Sequence, residues 1–531
     1  MRRRPRDIHG AAHAPNSSVR GAFLPCTIQA KEYSMADNTE AIKNEAGNGE
    51  QKKPLEPLPQ TATKQYTWTG ADGTKINYTA TAEMIPVRAN DGQLIGHMFM
   101  FSQVSDQEDK SDRPVTFCWN GGPGGASYMV NIGGMGAKRV KTDGMAHLKG
   151  VGEVEDNPYS LLPSSDLVFI DAFGTGYSHV DPNYDAKKVW GVDGDGDAFT
   201  RGIIAWLTKY DRMNSPHYLY GESYGTMRNA VVYRMLGEHG VGVAGITEQS
   251  TILDYEPTLS GEDDYYMGMF PVYAATANYF KKAGVGVDQY EWYDKAFDYA
   301  NNTLARALTL ADALPADEMK KIAGEMSEFI GLPADFIEEK GLRIELDTFR
   351  KNLLKAEGET TGRYDTRFTT YGYQDVQGDN EFFAGEDPSY DAINAAYLDV
   401  YMKMLGDMGF KGYENYEGLS LKVNSSWNWT HQAPGTMGSP QVPNVAYDLA
   451  TALRRNPTSR ICVLGGIHDA ATPYWNVRHD INKLFLPQAL KDRIEYHLHS
   501  NGHMLYCDEV ALAATGPELA AFYDKRHEDK D

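Results

Sequence analysis

The sequence predicts an α/β fold: a mostly parallel central sheet, antiparallel hairpins at its N-terminal edge, and an inserted, mainly helical cap. Three observations predict it. Short β-prone apolar runs alternate with helical stretches from residue 114 to 253 and again after 443, as in a parallel sheet with helices on its faces. Between about 256 and 440 that alternation gives way to apolar residues at helical spacing. Finally, His217-Tyr218-Leu219-Tyr220-Gly221-Glu222-Ser223-Tyr224-Gly225 leads from a β-prone run through G-x-S-x-G into a helix-prone run at 227–236. That order of strand, tight turn and helix lifts a serine hydroxyl clear of a sheet. Roughly one chain in five of this length would carry G-x-S-x-G by accident, so its flanks and distant partners must decide.

The chain has 531 residues, enough for a large core and two or three domains. Its formal net charge of −22 argues against nucleic acid or an anionic membrane as partner, since both need positive charge. Four cysteines (Cys26, Cys118, Cys462, Cys507), with no C-x-x-C, are too few for a disulfide framework and make a structural zinc site an unfavoured expectation. No apolar run approaches the roughly 18 residues of a membrane span. Basic residues follow Met1, but no apolar stretch of signal-peptide length comes after them. The expectations are therefore a cytoplasmic protein, and an upstream extension or mis-assigned start over residues 1–34, ahead of Met35.

In chain order, residues 35–64 are polar and read as a disordered lead-in. Residues 66–69 and 76–81, around Ala71-Asp72-Gly73, read as one hairpin; 84–88 and 94–104, around Asn90-Asp91-Gly92, read as a second. Strands follow at 114–119, 167–170, 217–220 and 245–253, with a helix at 198–209. Trp292, Ala296, Tyr299 and Ala300 share one helical face, as do Met319, Ile322, Met326 and Phe329, and Gly331 and Pro333 end the second helix. A further helix is expected at 392–405. The α/β texture returns with a helix at 445–454, strands at 460–464 and 493–498, and a closing helix at 509–523. The expected division is a disordered extension 1–64, core 65–255, helical cap 256–440 and second core segment 441–531.

A serine hydroxyl is a weak nucleophile and needs a base, itself oriented by a carboxylate. On a sheet of this kind the order is Ser, then Asp or Glu, then His, each in a loop after a strand. Asp469, in Gly465-Gly466-Ile467-His468-Asp469-Ala470, and His503, in Asn501-Gly502-His503-Met504, complete that order after Ser223. An acyl-transfer site also needs donors for a tetrahedral oxyanion. The backbone N–H of Tyr224 supplies one, and the glycine-rich loop Asn120-Gly121-Gly122-Pro123-Gly124-Gly125 is the source of the other. A phosphate loop is excluded there because no Gly-Lys-Ser/Thr follows. Asp193-Gly194-Asp195-Gly196-Asp197 resembles the start of a calcium loop, but Ala198 and Ile204 stand where Gly and Glu are required. His497 and His499 face one side of a strand; with no acidic set read beside them, no metal is expected.

Together these motifs resemble those of the serine carboxypeptidases, a group with the α/β-hydrolase fold. Asn120-Gly121-Gly122-Pro123-Gly124 resembles that family's N-G-G-P-G loop, Gly221-Glu222-Ser223-Tyr224 its G-E-S-Y element, and Gly502-His503-Met504 its G-H-M. Asp171 through Ser178 is similar to its D-x-P-x-G-x-G-x-S segment, one residue shorter and with Phe173 in place of proline. The matches run from about 113 to 508, with the cap divergent. The resemblance implies Ser223 as nucleophile, His503 as base and Asp469 as orienter. It further implies an oxyanion hole from Gly122 and Tyr224, and Asn120 and Glu222 as the site for a substrate's free C-terminal carboxylate. It implies peptide substrates and no cofactor. Cys118 where tryptophan is frequent, Gly125 where a half-cystine is common, and His468-Asp469 where G-D-x-D is usual point to a divergent, bacterial-type branch. An esterase or acyltransferase on the same scaffold, or an inactive peptide-binding relative, are the rival readings.

Overall fold

The computed structural model describes residues 61–107, 110–142, 152–371, 387–410, 416–436 and 442–530. Most of the expected N-terminal extension lies outside them. Strand β1 (Thr61–Thr69) begins within the segment assigned to that extension. The polar residues 61–64 gave no sign of a strand, but every residue from Thr61 to Thr69 pairs with β2 (Lys75–Arg88).

β2 is a single 14-residue strand running through both expected hairpins. With β3 (Leu94–Ser105) it makes a three-stranded antiparallel meander. β4 (Val115–Trp119) follows, then an outlying hairpin of β5 (Lys138–Val140) and β6 (Val154–Asp156), then β7 (Asp166–Ile170) and the short β8 (His179–Val180). β9 (His217–Glu222) and β10 (Gly245–Gln249) precede the cap, where β11 (Glu359–Thr361) and β12 (Thr369–Tyr371) pair only with each other. β13 (Arg460–Gly466) and β14 (Ile494–His499) complete the set. The main sheet runs β1-β2-β3-β7-β4-β9-β10-β13-β14, with β8 on the side of β3. It is antiparallel as far as β3–β7 and parallel from β7 onward.

Both faces are buried, so the strands alternate between two cores. Phe117, Trp119, Leu219, Ile461 and Val463 point to one side, under α1 (Val192–Lys209), α2 (Tyr224–Glu238) and, later in the chain, α11 (Ala446–Arg455). Cys118, Tyr218, Tyr220, Cys462 and Leu464 point to the other.

Helix α1 begins six residues before the expected 198. Its first turn and a half is the Asp193-Gly194-Asp195-Gly196-Asp197 stretch, so that sequence forms no loop. Acidic residues suit a helix N-terminus. Asp195 also bonds buried Arg228 of α2 at 2.6 Å. Gly194 is needed because a Cβ there would lie 2.0 Å from the Lys188 carbonyl oxygen.

Between β10 and β13 the chain adds α3 (Asp263–Tyr279), α4 (Gln289–Tyr299), α5 (Ala305–Leu310), α6 (Ala316–Ile330), α7 (Ala334–Glu339) and α8 (Leu346–Leu353). These form a helical layer with its own apolar core, which also takes in Ala470 and Trp475. Helix α9 (Pro388–Asp407), which falls in the same expected cap, instead packs Ile393, Tyr397 and Tyr401 into the core that contains Phe99 and Phe101 of β3. After α10 (Leu421–Ser425), Trp427 packs edge-on against Tyr224, with ring centres 5.2 Å apart. α12 (Tyr474–Lys483), α13 (Gln488–Lys491) and α14 (Glu509–Asp524) complete the fold. Among the described residues no helix is long and apolar enough to cross a membrane.

Candidate active site

Ser223 joins β9 to α2 with φ 60° and ψ −131°, a region that L-residues with side chains rarely occupy and that stores strain. Its neighbours hold it there. Its N–H donates to the Gln249 carbonyl at 3.0 Å, and its own carbonyl accepts from the Thr226 N–H at 2.8 Å and the Thr226 hydroxyl at 2.7 Å. Strand and helix approach so closely that a Cβ on Gly221 would sit 2.2 Å from the Gly225 carbonyl oxygen.

The glycine-rich loop after β4 lies on this turn. A Cβ on Gly121 would fall 2.5 Å from the backbone nitrogen of Tyr224, so the loop is in van der Waals contact with the first N–H of α2. Gly122, at φ +114°, needs the freedom of glycine. Asn120 anchors the loop, its Oδ1 accepting from the Val130 N–H at 2.9 Å. Ser127 is anchored in turn by Asp171, whose Oδ1 accepts the Ser127 N–H at 2.7 Å. Burial raises the Asp171 carboxyl to about 7.

Asp469 and His503 come together from the loops after β13 and β14. His503 Nδ1 lies 2.9 Å from Asp469 Oδ2, with both side chains buried. Asp469 Oδ1 accepts the N–H groups of Ala471 and Thr472 at 2.8 and 2.9 Å, and Oδ2 also accepts the Thr472 hydroxyl at 2.8 Å. This arrangement fixes the carboxylate and leaves Nε2 of the imidazole to accept a proton. Burial works against the imidazolium, but the charge and hydrogen bond of Asp469 outweigh it, so the His503 pKa is raised.

Glu222 is also buried. Asn120 Nδ2 donates to its Oε1 at 3.0 Å, Gln249 Nε2 to its Oε2 at 2.9 Å, and the Tyr506 hydroxyl to Oε1 at 3.3 Å. Burial nevertheless dominates and lifts its carboxyl to about 7, against the pull of His503 and these donors. Asn120, Gly122, Glu222, Ser223, Tyr364 and His503 all line one cavity of about 90 Å³. Of the residues expected at a site, Tyr224 and Asp469 do not line this cavity; Tyr224 follows Ser223 in the chain and Asp469 meets it through His503.

Gln249, Thr472, Tyr506 and Tyr364 were not expected. Gln249 meets Glu222 through the parallel register of β9 and β10. Tyr364, from the cap, lies tilted against His503 with ring centres 5.1 Å apart, and its carbonyl accepts the His503 backbone N–H at 2.5 Å. These are contacts between distant segments, which no local motif announces; only Thr472, three residues after Asp469, had a readable position. His497 and His499 do not line this cavity. Contrary to the sequence reading, acids accompany them: Glu518 lies 3.2 Å from His497 and 2.9 Å from His499, brought by α14.

Residues 77–234 match the family model described as serine carboxypeptidase. No curated protein sequence matches the chain. Among solved structures, the prohormone-processing carboxypeptidase Kex1(delta)p of Saccharomyces cerevisiae is similar with a TM-score of 0.53 at 14% identity, covering 84% of this chain and 91% of that one. A proline iminopeptidase of Mycobacterium smegmatis gives 0.34 at 14% identity, covering 85% and 100%. The first of these likenesses supports the fold, an α/β-hydrolase with a helical cap. Residues 77–234, which carry both the glycine-rich loop and the serine turn, are the part of the chain that matches the serine carboxypeptidase model, and that match supports a hydrolytic enzyme.

Proposed function

We propose that this enzyme is a serine carboxypeptidase that releases the C-terminal amino acid of a peptide. In this reading the Ser223 hydroxyl attacks the last peptide carbonyl while His503 Nε2 takes its proton, with Asp469 holding the imidazole. The N–H groups of Gly122 and Tyr224 receive the oxyanion. The leaving amine takes the proton from His503, and water, activated by the same imidazole, hydrolyses the acyl-enzyme.

One observation carries the choice of a C-terminal substrate: buried Glu222, bonded to Asn120 at 3.0 Å and next to Ser223 on one cavity wall. An ionised glutamate there would repel both a substrate carboxylate and the developing oxyanion. A carboxyl lifted to about 7 holds its proton through mildly acidic pH. It then donates a hydrogen bond to an incoming carboxylate, with the Asn120 amide as a second donor.

The test is hydrolysis of an N-blocked dipeptide as its free acid and as its C-terminal amide, with Ser223 labelling by a fluorophosphonate as the active-site count. Faster turnover of the acid supports the reading. Equal turnover of both leaves a general serine hydrolase. Ester cleavage without peptide cleavage points to the esterase alternative.

A further inference from the structure

On the sheet face away from α1 and α2, Cys462 of β13 is in register with Glu495 of β14, and His497 is the next residue of β14 on that side. One sulfur, one carboxylate oxygen and one ring nitrogen of these residues all lie within 4.8 Å of one another, and among the described residues no other group of three His, Cys, Asp or Glu side chains does so. From this geometry we propose that Cys462, Glu495 and His497 form a binding site for a zinc-type divalent cation, separate from the hydrolytic site.

The donor geometry fits. His497 Nε2 is 3.7 Å from Glu495 Oε1. Tetrahedral zinc, with bonds of about 2.0–2.3 Å, sets its ligands about 3.3–3.7 Å apart. Both atoms are buried and lack a hydrogen-bond partner, which is costly for polar atoms unless something else satisfies them. Their other atoms are engaged. His497 Nδ1 lies 3.2 Å from Glu518 Oε1, and Glu495 Oε2 bonds the Lys525 ammonium. A carboxylate on the far nitrogen of a ligating histidine fixes the ring and its tautomer, leaving the near nitrogen as lone pair. Cys462 is a fully buried free thiol.

Sulfur, imidazole and carboxylate together suit zinc or cobalt(II) rather than magnesium or calcium. The side chains of Glu495 and His497 are 22% and 23% exposed, while the donor atoms themselves are buried. Binding converts the Cys462 thiol to thiolate, releases that proton to solvent, and leaves a fourth position for water. A proton is the rival occupant. Protons compete for the His497 nitrogen and the Cys462 sulfur, so affinity rises with pH. A bound cation fixes β14, which leads into the His503 loop, to β13.

The test uses the full chain, stripped with a chelator and titrated with Co²⁺ and then Zn²⁺. The expected result is one equivalent bound, a near-ultraviolet thiolate-to-cobalt band that Zn²⁺ abolishes, and a higher Tm with Zn²⁺. Cys462→Ser should lose the band. His497→Ala should weaken Zn²⁺ binding at least about 100-fold and Glu518→Gln about 10–100-fold. If Cys462→Ser fails to fold, His497→Ala at its partly exposed position carries the test. No band in the wild type overturns the proposal, as does Zn²⁺ binding unchanged in His497→Ala.

Discussion

Glu222 and Gln249 face each other across the parallel register of β9 and β10, and Gln249 Nε2 donates to Glu222 Oε2 at 2.9 Å. The same amide nitrogen reaches the carbonyl of His503 at 3.2 Å. One side chain thus ties the acid beside the serine to the loop of the candidate base, and the pH behaviour of the two is joined.

That pair predicts a bell-shaped profile for peptide hydrolysis. His503 must be neutral to accept a proton, so kcat/KM falls as pH drops through its raised pKa. Glu222 must be protonated to receive a carboxylate, so kcat/KM falls again as pH climbs through about 7. Glu222→Gln should remove the alkaline limb and keep the acid one. Gln249→Met removes a donor that favours the ionised carboxylate, so it should move the alkaline limb to higher pH. Profiles for one acid substrate across pH in the three proteins check this; an unchanged alkaline limb in Glu222→Gln would sink it.

The same shift has a sign for stability. Glu222 titrates at 4.5 in an unfolded chain and about 7 in the folded one. Its contribution is therefore complete below pH 4.5 and is lost as pH rises through about 7. Denaturant titrations at pH 5 and 8 should show wild type losing more stability over that interval than Glu222→Gln.

Removing the candidate triad should separate chemistry from fold. Ser223→Ala and His503→Ala should each lower kcat by about 10⁶-fold, and Asp469→Asn by about 10⁴-fold, since an amide cannot hold the imidazole in the same tautomer. Thermal unfolding and fluorophosphonate labelling should be run alongside. Near wild-type turnover by a folded Ser223→Ala protein excludes the mechanism.

Gly121→Ala tests the loop on the serine turn. The added Cβ would lie 2.5 Å from the Tyr224 nitrogen, so the loop must move off that N–H. A loss of about 10²–10³-fold in kcat is expected, as for removal of one oxyanion donor. A loss confined to KM would assign the loop to binding alone.

Arg228 and Asp195 form a buried pair at 2.6 Å, and Arg228 Nη1 also donates to the Asn120 carbonyl at 2.9 Å. Arg228→Met should cost about 3–5 kcal/mol in denaturant unfolding because it strands Asp195. Adding Asp195→Leu should recover part of that loss; no recovery would mean the cost comes from packing against Phe199, 4.3 Å below the guanidinium.

The sequence by itself determined the sheet, the serine turn and the order of candidate residues, because each is written locally. Strand–helix alternation, the glycines around Ser223 and post-strand loops all operate within a few residues. It misjudged what depends on partners. β1 begins in a polar run because β2 pairs with it, Asp193–Asp197 is helical because Asp195 finds Arg228, and α9 covers the main sheet because its aromatic face meets β3. Only the tertiary structure decided what surrounds the chemistry. Gln249, Tyr364 and Tyr506 reach Glu222 or His503 from segments tens to hundreds of residues away, and Glu518 reaches His497 from another helix. Burial supplies the proton affinity of Glu222, and burial is a property of the packed chain, not of any motif.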